Sequence, residues 1–152
     1  AFYHYGAAEL PTTIIDGVEL RVMMGSAFGL TSPVKTFAQT LYIEAHLQKG
    51  QRLELPMAEE RAIYLAKGSV STSGSLIDEF TMAILDNKEA ITLEATADCR
   101  LALIGGETLG DRFIEWNFVS SRKERIAQAK QDWKEGHFDT VPGDAKEFIP
   151  LP

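Results

Sequence analysis

The stretch GQRLELPMAEERAIYLAKG, Gly50 to Gly68, decides the fold. Leu53 and Leu55 alternate with charged residues up to Pro56, and Ile63 and Leu65 alternate again before Lys67-Gly68. Two short half-buried strands flanking a polar turn explain that spacing. The same pattern extends to both sides. Val18, Leu20, Val22 and Met24 alternate before Gly25, and Leu41, Ile43, Ala45 and Leu47 before Lys49-Gly50; Val70, Phe80, Met82, Ile84, Ile91, Leu93, Leu101 and Leu103 continue the series. Turns are expected at Lys67-Gly68, Ser73-Gly74, Asp86-Asn87, Ala97-Asp98 and Gly105-Gly106, whose residues supply positive φ or local side-chain hydrogen bonds. About nine strands between Val18 and Ile104, with no helix-period segment among them, predict an all-β fold, a double-sheet jelly-roll β-barrel.

After Gly110 the pattern changes. Ser121-Arg-Lys-Glu124 reads as a capping box, and Ile126, Ala129, Lys130 and Trp133 share one helical face before Gly136. A helix over Arg122 to Glu135 is predicted. The segment PGDAKEFIPLP carries Pro142, Pro150 and Pro152, so it is expected to be an extended tail laid on the barrel. The expected organisation is a lead-in or interdomain segment over 1–16, the barrel over 17–110, and the C-terminal helix and tail over 111–152.

With 152 residues, 45% hydrophobic and 24% charged, the chain has the size and balance of about one soluble domain. No apolar run approaches the length of a membrane helix, so no membrane association is expected. The formal net charge of −7 argues against nucleic acid, whose binders gather Lys and Arg on one surface. Cys99 is the single cysteine, which favours a reducing compartment and a cytoplasmic localisation. The opening residues AFYHYGAAELP have neither an initiating Met nor a signal-peptide pattern and read as the middle of a longer polypeptide.

No catalytic motif emerges. His4, His46 and His137 are scattered, with no H-x-H, H-E-x-x-H or C-x-x-C spacing. Glu44 and His46 share a strand face and form a weak polar pair, expected to be a hydrogen bond rather than part of a ligand set. There is no G-x-S-x-G elbow, and GSVSTSGS, Gly68 to Ser75, lacks the lysine and following helix of a phosphate loop. Glu59, Glu60 and Arg61 read as a solvated turn in which Arg61 pairs with a glutamate. Cys99 reads as a small packed residue.

Taken together, GVELRVMMGSAFGLTSPV (17–34), TLYIEAHLQKGQRLELP (40–56), AIYLAKGSV, LALIGGETLGD (101–111) and WNFVSSRKERIAQAKQDWKEGHF (116–138) resemble the C-terminal domain of the pirin family. Within it, WNFVSS and FIPLP are similar to a bacterial pirin-like subgroup. These proteins are bicupins, so the resemblance implies a cupin (RmlC-like) jelly roll and an N-terminal cupin domain of the same parent protein as partner. In the family that N-terminal half holds a metal, usually iron, through three histidines and a glutamate; some members act on quercetin as dioxygenases, and animal pirin is a nuclear transcription cofactor. Metal-dependent β-barrel dioxygenases place two histidines and a carboxylate in a segment shaped like Gly50 to Gly68, because imidazole suits such metals. Here Pro56, Ala58 and Arg61 fall near those places, so no family ligand carries over: no metal ligand, no cofactor and no catalytic residue is expected in this chain.

The expected function is that of a supporting domain for the metal-bearing cupin. Alternatives are a metal-free small-molecule pocket, with Arg61, Tyr64, Met82 and Trp116 as lining residues, a transcription-cofactor-type interaction domain, and a dioxygenase in its own right built on His46 and Glu44. By itself the chain is expected to form a homodimer through the surface left bare.

Overall fold

Period-two alternation commits one face of each strand to a core, and pairing register decides which faces meet. The computed structural model describes residues 3–87 and 89–152. Six antiparallel strands form the larger sheet: β1 (Thr12–Ile15), β2 (Val18–Met24), β5 (Thr40–Leu47), β7 (Glu60–Lys67), β10 (Met82–Leu85) and β12 (Cys99–Gly106), in the order β1-β2-β5-β12-β7-β10. A four-stranded sheet has the order β6-β11-β8-β9, with β6 at Arg52–Glu54, β8 at Val70–Thr72, β9 at Ser75–Ile77 and β11 at Thr92–Ala95. The short pair β3 (Ser26–Ala27) and β4 (Leu30–Thr31) completes this unit, which runs from Tyr5 to Thr108.

The two sheets share one core. Val18, Leu20, Ile43, Ala45, Ile63, Leu65, Leu101 and Leu103 from the larger sheet pack with Leu53, Val70, Leu93 and Ala95 from the smaller. Each Leu or Ile so buried contributes about 1.5–3 kcal/mol relative to exposure, so these inward positions fix the register. The sheets are not hydrogen-bonded into a closed barrel. The fold is mostly β with one short C-terminal helix.

Leu109–Pro152 belongs to a second compact unit. It contains the hairpin β13 (Phe113–Glu115) and β14 (Phe118–Ser120) and the helix α1 (Lys123–Glu135). Gly136 ends the helix at φ 71°, and the His137 N–H returns to the Asp132 carbonyl at 2.8 Å, closing the C-terminal turn. The expected capping box is not made. Arg122 is the N-cap residue, no side chain caps the helix, and the Ser120 hydroxyl oxygen accepts from the Arg122 N–H instead. Gly105 and Gly106, expected as a turn, lie inside β12, because the backbones of Gln39 and Glu60 press against them on either side. The tail is held at its end: Trp133 Nε1 donates to the Ile149 carbonyl at 2.8 Å, and its ring stacks on Phe148 at 5.7 Å.

Cys99 opens β12 opposite Leu47 and is 6% exposed. Burial pushes its thiol above the usual range, reinforced by the nearby Asp98 carboxylate and only partly offset by a backbone hydrogen bond at Leu47. Since the thiolate is the reactive form, the native protein is expected to resist disulfide-exchange reagents near neutral pH and to react fully in urea. Rapid stoichiometric labelling of the folded chain would refute this.

Candidate functional site

Arg61 occupies the second position of β7, on the inward face with Ile63 and Leu65, and is 2% exposed. Its guanidinium donates to backbone carbonyls: Nε and Nη2 to Asp86 at 2.9 and 2.6 Å, Nη1 to Pro56 at 3.2 Å, and Nη2 also to Glu89. This corrects the reading of 59–61 as a solvated turn. Glu59 faces outward and accepts from the Thr108 N–H through its carboxylate at 2.9 Å. Arg61 instead ties Pro56 to Asp86 and Glu89.

A buried guanidinium surrounded by carbonyl oxygens is the reverse of a metal site, since it supplies a fixed cation where a ligand set needs lone pairs. Pro56 and Ala58 add no side-chain donor. The residues at the place where a cupin motif would hold its metal therefore do not fit one. Among the described residues, no group of three His, Cys, Asp or Glu side chains is placed to hold a metal ion. His46 pairs with Glu44, and His137 lies 3.5 and 3.4 Å from Asp132 and Glu135 on the helix end.

Glu44 lies on the face of the larger sheet turned away from the core. Register sets it beside Arg21 on β2 and opposite Ala102 on β12, two residues from Arg100, while Glu19, His46, Arg100 and Lys67 make the next row. Arg100 Nε donates to Glu44 Oε1 at 2.6 Å and its Nη2 also contacts that oxygen; His46 Nε2 lies 3.3 Å away, and Arg21 Nη1 is 3.5 Å from Oε2. Arg21 Nε is buried with no hydrogen-bond partner among the described residues. Burial alone would raise the Glu44 pKa, but hydrogen bonds and charge from Arg100 and His46 outweigh it and hold the carboxyl below its ordinary value. So firmly ionised a carboxylate is a poor general base at neutral pH. The cluster lines an open groove of about 560 Å³ with Thr12 and Thr13.

Because the folded pKa of Glu44 lies below the ordinary 4.5, its stabilisation is complete above about pH 4.5 and is lost as pH falls through the folded value. Glu44→Gln should therefore lower the thermal midpoint near neutrality and flatten the acid side of the stability profile. Thermal midpoints between about pH 3 and 7 check this; parallel profiles for both proteins would refute it.

Of the sequence-proposed pocket residues, Arg61 and Tyr64 lie on opposite faces of β7. Arg61 points into the core side of the sheet. Tyr64 and Met82 are directly paired across β7 and β10 on the opposite face, and Met82 is well exposed. Trp116 is in the C-terminal unit, edge-on to Phe118 at 5.6 Å and Trp133 at 5.0 Å. Arg21 and Arg100, which complete the Glu44 cluster, were not singled out by sequence. Their only signal was outward placement in VELRV and CRLAL, and the pairing that joins Glu44 to Arg100 spans 56 residues.

The Pirin C-terminal cupin domain family matches residues 42–139. A pirin-like protein of Caulobacter vibrioides is 42% identical over 99% of this chain and 52% of its own length, and mouse pirin is 30% identical over 83% of the chain and 47% of its own length. A crystal structure of quercetin 2,3-dioxygenase from Acinetobacter baumannii superposes with a TM-score of 0.76 at 25% identity, covering 88% of this chain and 49% of that one. The chain thus spans about half the length of the curated relatives it matches. On this sequence match, the chain belongs to the pirin family, as a pirin C-terminal cupin domain.

Proposed function

We propose that this chain is the non-catalytic half of a pirin-type bicupin, a jelly roll that supports a metal-bearing N-terminal cupin related to quercetin dioxygenases. Arg61 carries this reading. By sequence spacing it stands near the carboxylate place of a cupin metal motif, and its guanidinium donates to the carbonyls of Pro56, Asp86 and Glu89. The chain's half-length coverage of its relatives agrees with a partner domain elsewhere in the parent protein. On this reading 1–16 is an interdomain lead-in, 17–110 the jelly roll, and 111–152 an appended helix and tail.

The core-averted side of the larger sheet supports a covering partner. Tyr42 and Ile104 are paired neighbours there, and Met82 and Ile84 continue the apolar surface on the edge strand β10. Without the N-terminal cupin, that surface is proposed to pair with a second copy as a homodimer.

Metal content and quercetin consumption, measured on the chain alone after iron loading, test the main reading. Far less than one iron per chain and no turnover beyond free iron are expected. Stoichiometric iron with quercetin oxygenation would overturn it.

A further inference from the structure

The C-terminal unit holds a second groove that the supporting role does not use. It is about 600 Å³ in volume and lies between the β13 strand and one face of α1. Lys123, Lys130 and Lys134 line the helix side, and Arg112, Phe113, Ile114 and Glu115 the strand side. Ile126 forms a buried part of the floor, whereas Ile114 is 71% exposed.

The charges there are not explained by the helix itself. Lys134 in the last turn suits the helix dipole, and Lys130 pairs with Glu115. Lys123 sits in the first turn, where the dipole opposes a cation, and Arg122 is a poor N-cap residue. Lys123 lies over the Phe113 ring at 5.0 Å, and Arg112 donates only to the neighbouring Asp111 carbonyl. Among the described residues, Lys123, Lys134 and Arg112 have no carboxylate partner. This is a concentration of positive charge around exposed apolar side chains, in a chain whose formal net charge is −7.

From Lys123 to Lys134 the helix rises about 16 Å, the length of about five residues of extended chain. We infer that this groove docks an acidic peptide segment of a partner protein that also carries apolar side chains. Its carboxylates would meet the lysine row and Arg112, and its apolar side chains would rest on Phe113 and Ile114. A nucleic acid fits less well, because four cations interleaved with exposed apolar groups offer little to a phosphate backbone. The inference is independent of the metal-free reading, which concerns the other unit.

A fluorescein-labelled hexapeptide of alternating glutamate and leucine, titrated by fluorescence polarisation, tests it. Saturable binding is expected, weakening as salt rises from about 0.05 to 0.3 M. Lys123→Glu should weaken binding about tenfold while leaving helical circular dichroism intact, since a first-turn acid suits the dipole. Lys134→Gln should weaken binding as well. Absence of saturable binding, or affinity unchanged in both variants, would overturn the inference. So would an oligothymidine binding as tightly as the peptide with the same dependence on Lys123.

Discussion

Replacing Arg61 with alanine is expected to lower the unfolding free energy by about 4 kcal/mol and the thermal midpoint by about 10 °C. The guanidinium donates to three backbone carbonyls, and hydrogen bonds to a charged group contribute roughly 1.5–3 kcal/mol each. Alanine leaves those acceptors without their donor and removes a side chain packed on the core side of β7. Water entering past the exposed Asp86 and Glu89 would solvate part of the loss, which keeps the expected sum below three full bonds. Arg61→Lys should recover only a fraction, because a single ammonium cannot span the Asp86, Pro56 and Glu89 oxygens as a planar fork does. Urea unfolding of the three proteins gives the ordering directly. An Arg61→Ala loss within about 1 kcal/mol would show that the connections hold without it, and would remove the main support for a filled metal position.

Period-two patterning was legible where burial is one-sided. Leu41, Ile43, Ala45 and Leu47 are all buried in β5, and Leu101 and Leu103 in β12, because each faces one shared core. Arg61 was misread because its environment is tertiary: GluGluArg looks solvated in sequence, and only the return of the chain at Asp86 to Glu89 encloses it. The Glu44 cluster was half legible for the same reason. Alternation places Glu44 and His46 on one face, but strand pairing brings Arg21 and Arg100 there, and a single sequence carries no register between distant strands. At the helix start, Ser121 and Glu124 had capping-box spacing, yet helical geometry begins after Arg122, so the serine is one position too early to cap.

Gly68→Ala is expected to destabilise the fold by about 3 kcal/mol, against about 1 kcal/mol for Gly74→Ala. Both glycines have positive φ, 76° and 78°, so an alanine pays a similar backbone penalty at either place. Their surroundings differ. A Cβ at Gly74 meets open space, whereas one at Gly68 runs into the Asp98 carbonyl oxygen and approaches Cys99 Cα at 2.9 Å. Gly68 is the corner at which the chain leaves β7 in the larger sheet for β8 in the smaller, and it runs beside the corner that leads from β11 into β12, so these two corners must separate locally to admit the methyl group. Neighbouring bonds resist that separation: the Thr96 N–H donates to the Ser69 carbonyl at 3.0 Å, the Ser69 and Thr96 hydroxyls lie 2.6 Å apart, and the Lys49 N–H donates to Asp98 Oδ1 at 2.9 Å. Opening this corner also uncovers Cys99, the first residue of β12. Gly68→Ala should therefore lose stability in urea unfolding and gain thiol reactivity under native conditions, while Gly74→Ala shows only the smaller stability loss. Equal losses for the two variants would mean that positive φ alone sets the cost and that the neighbouring β11–β12 corner yields freely.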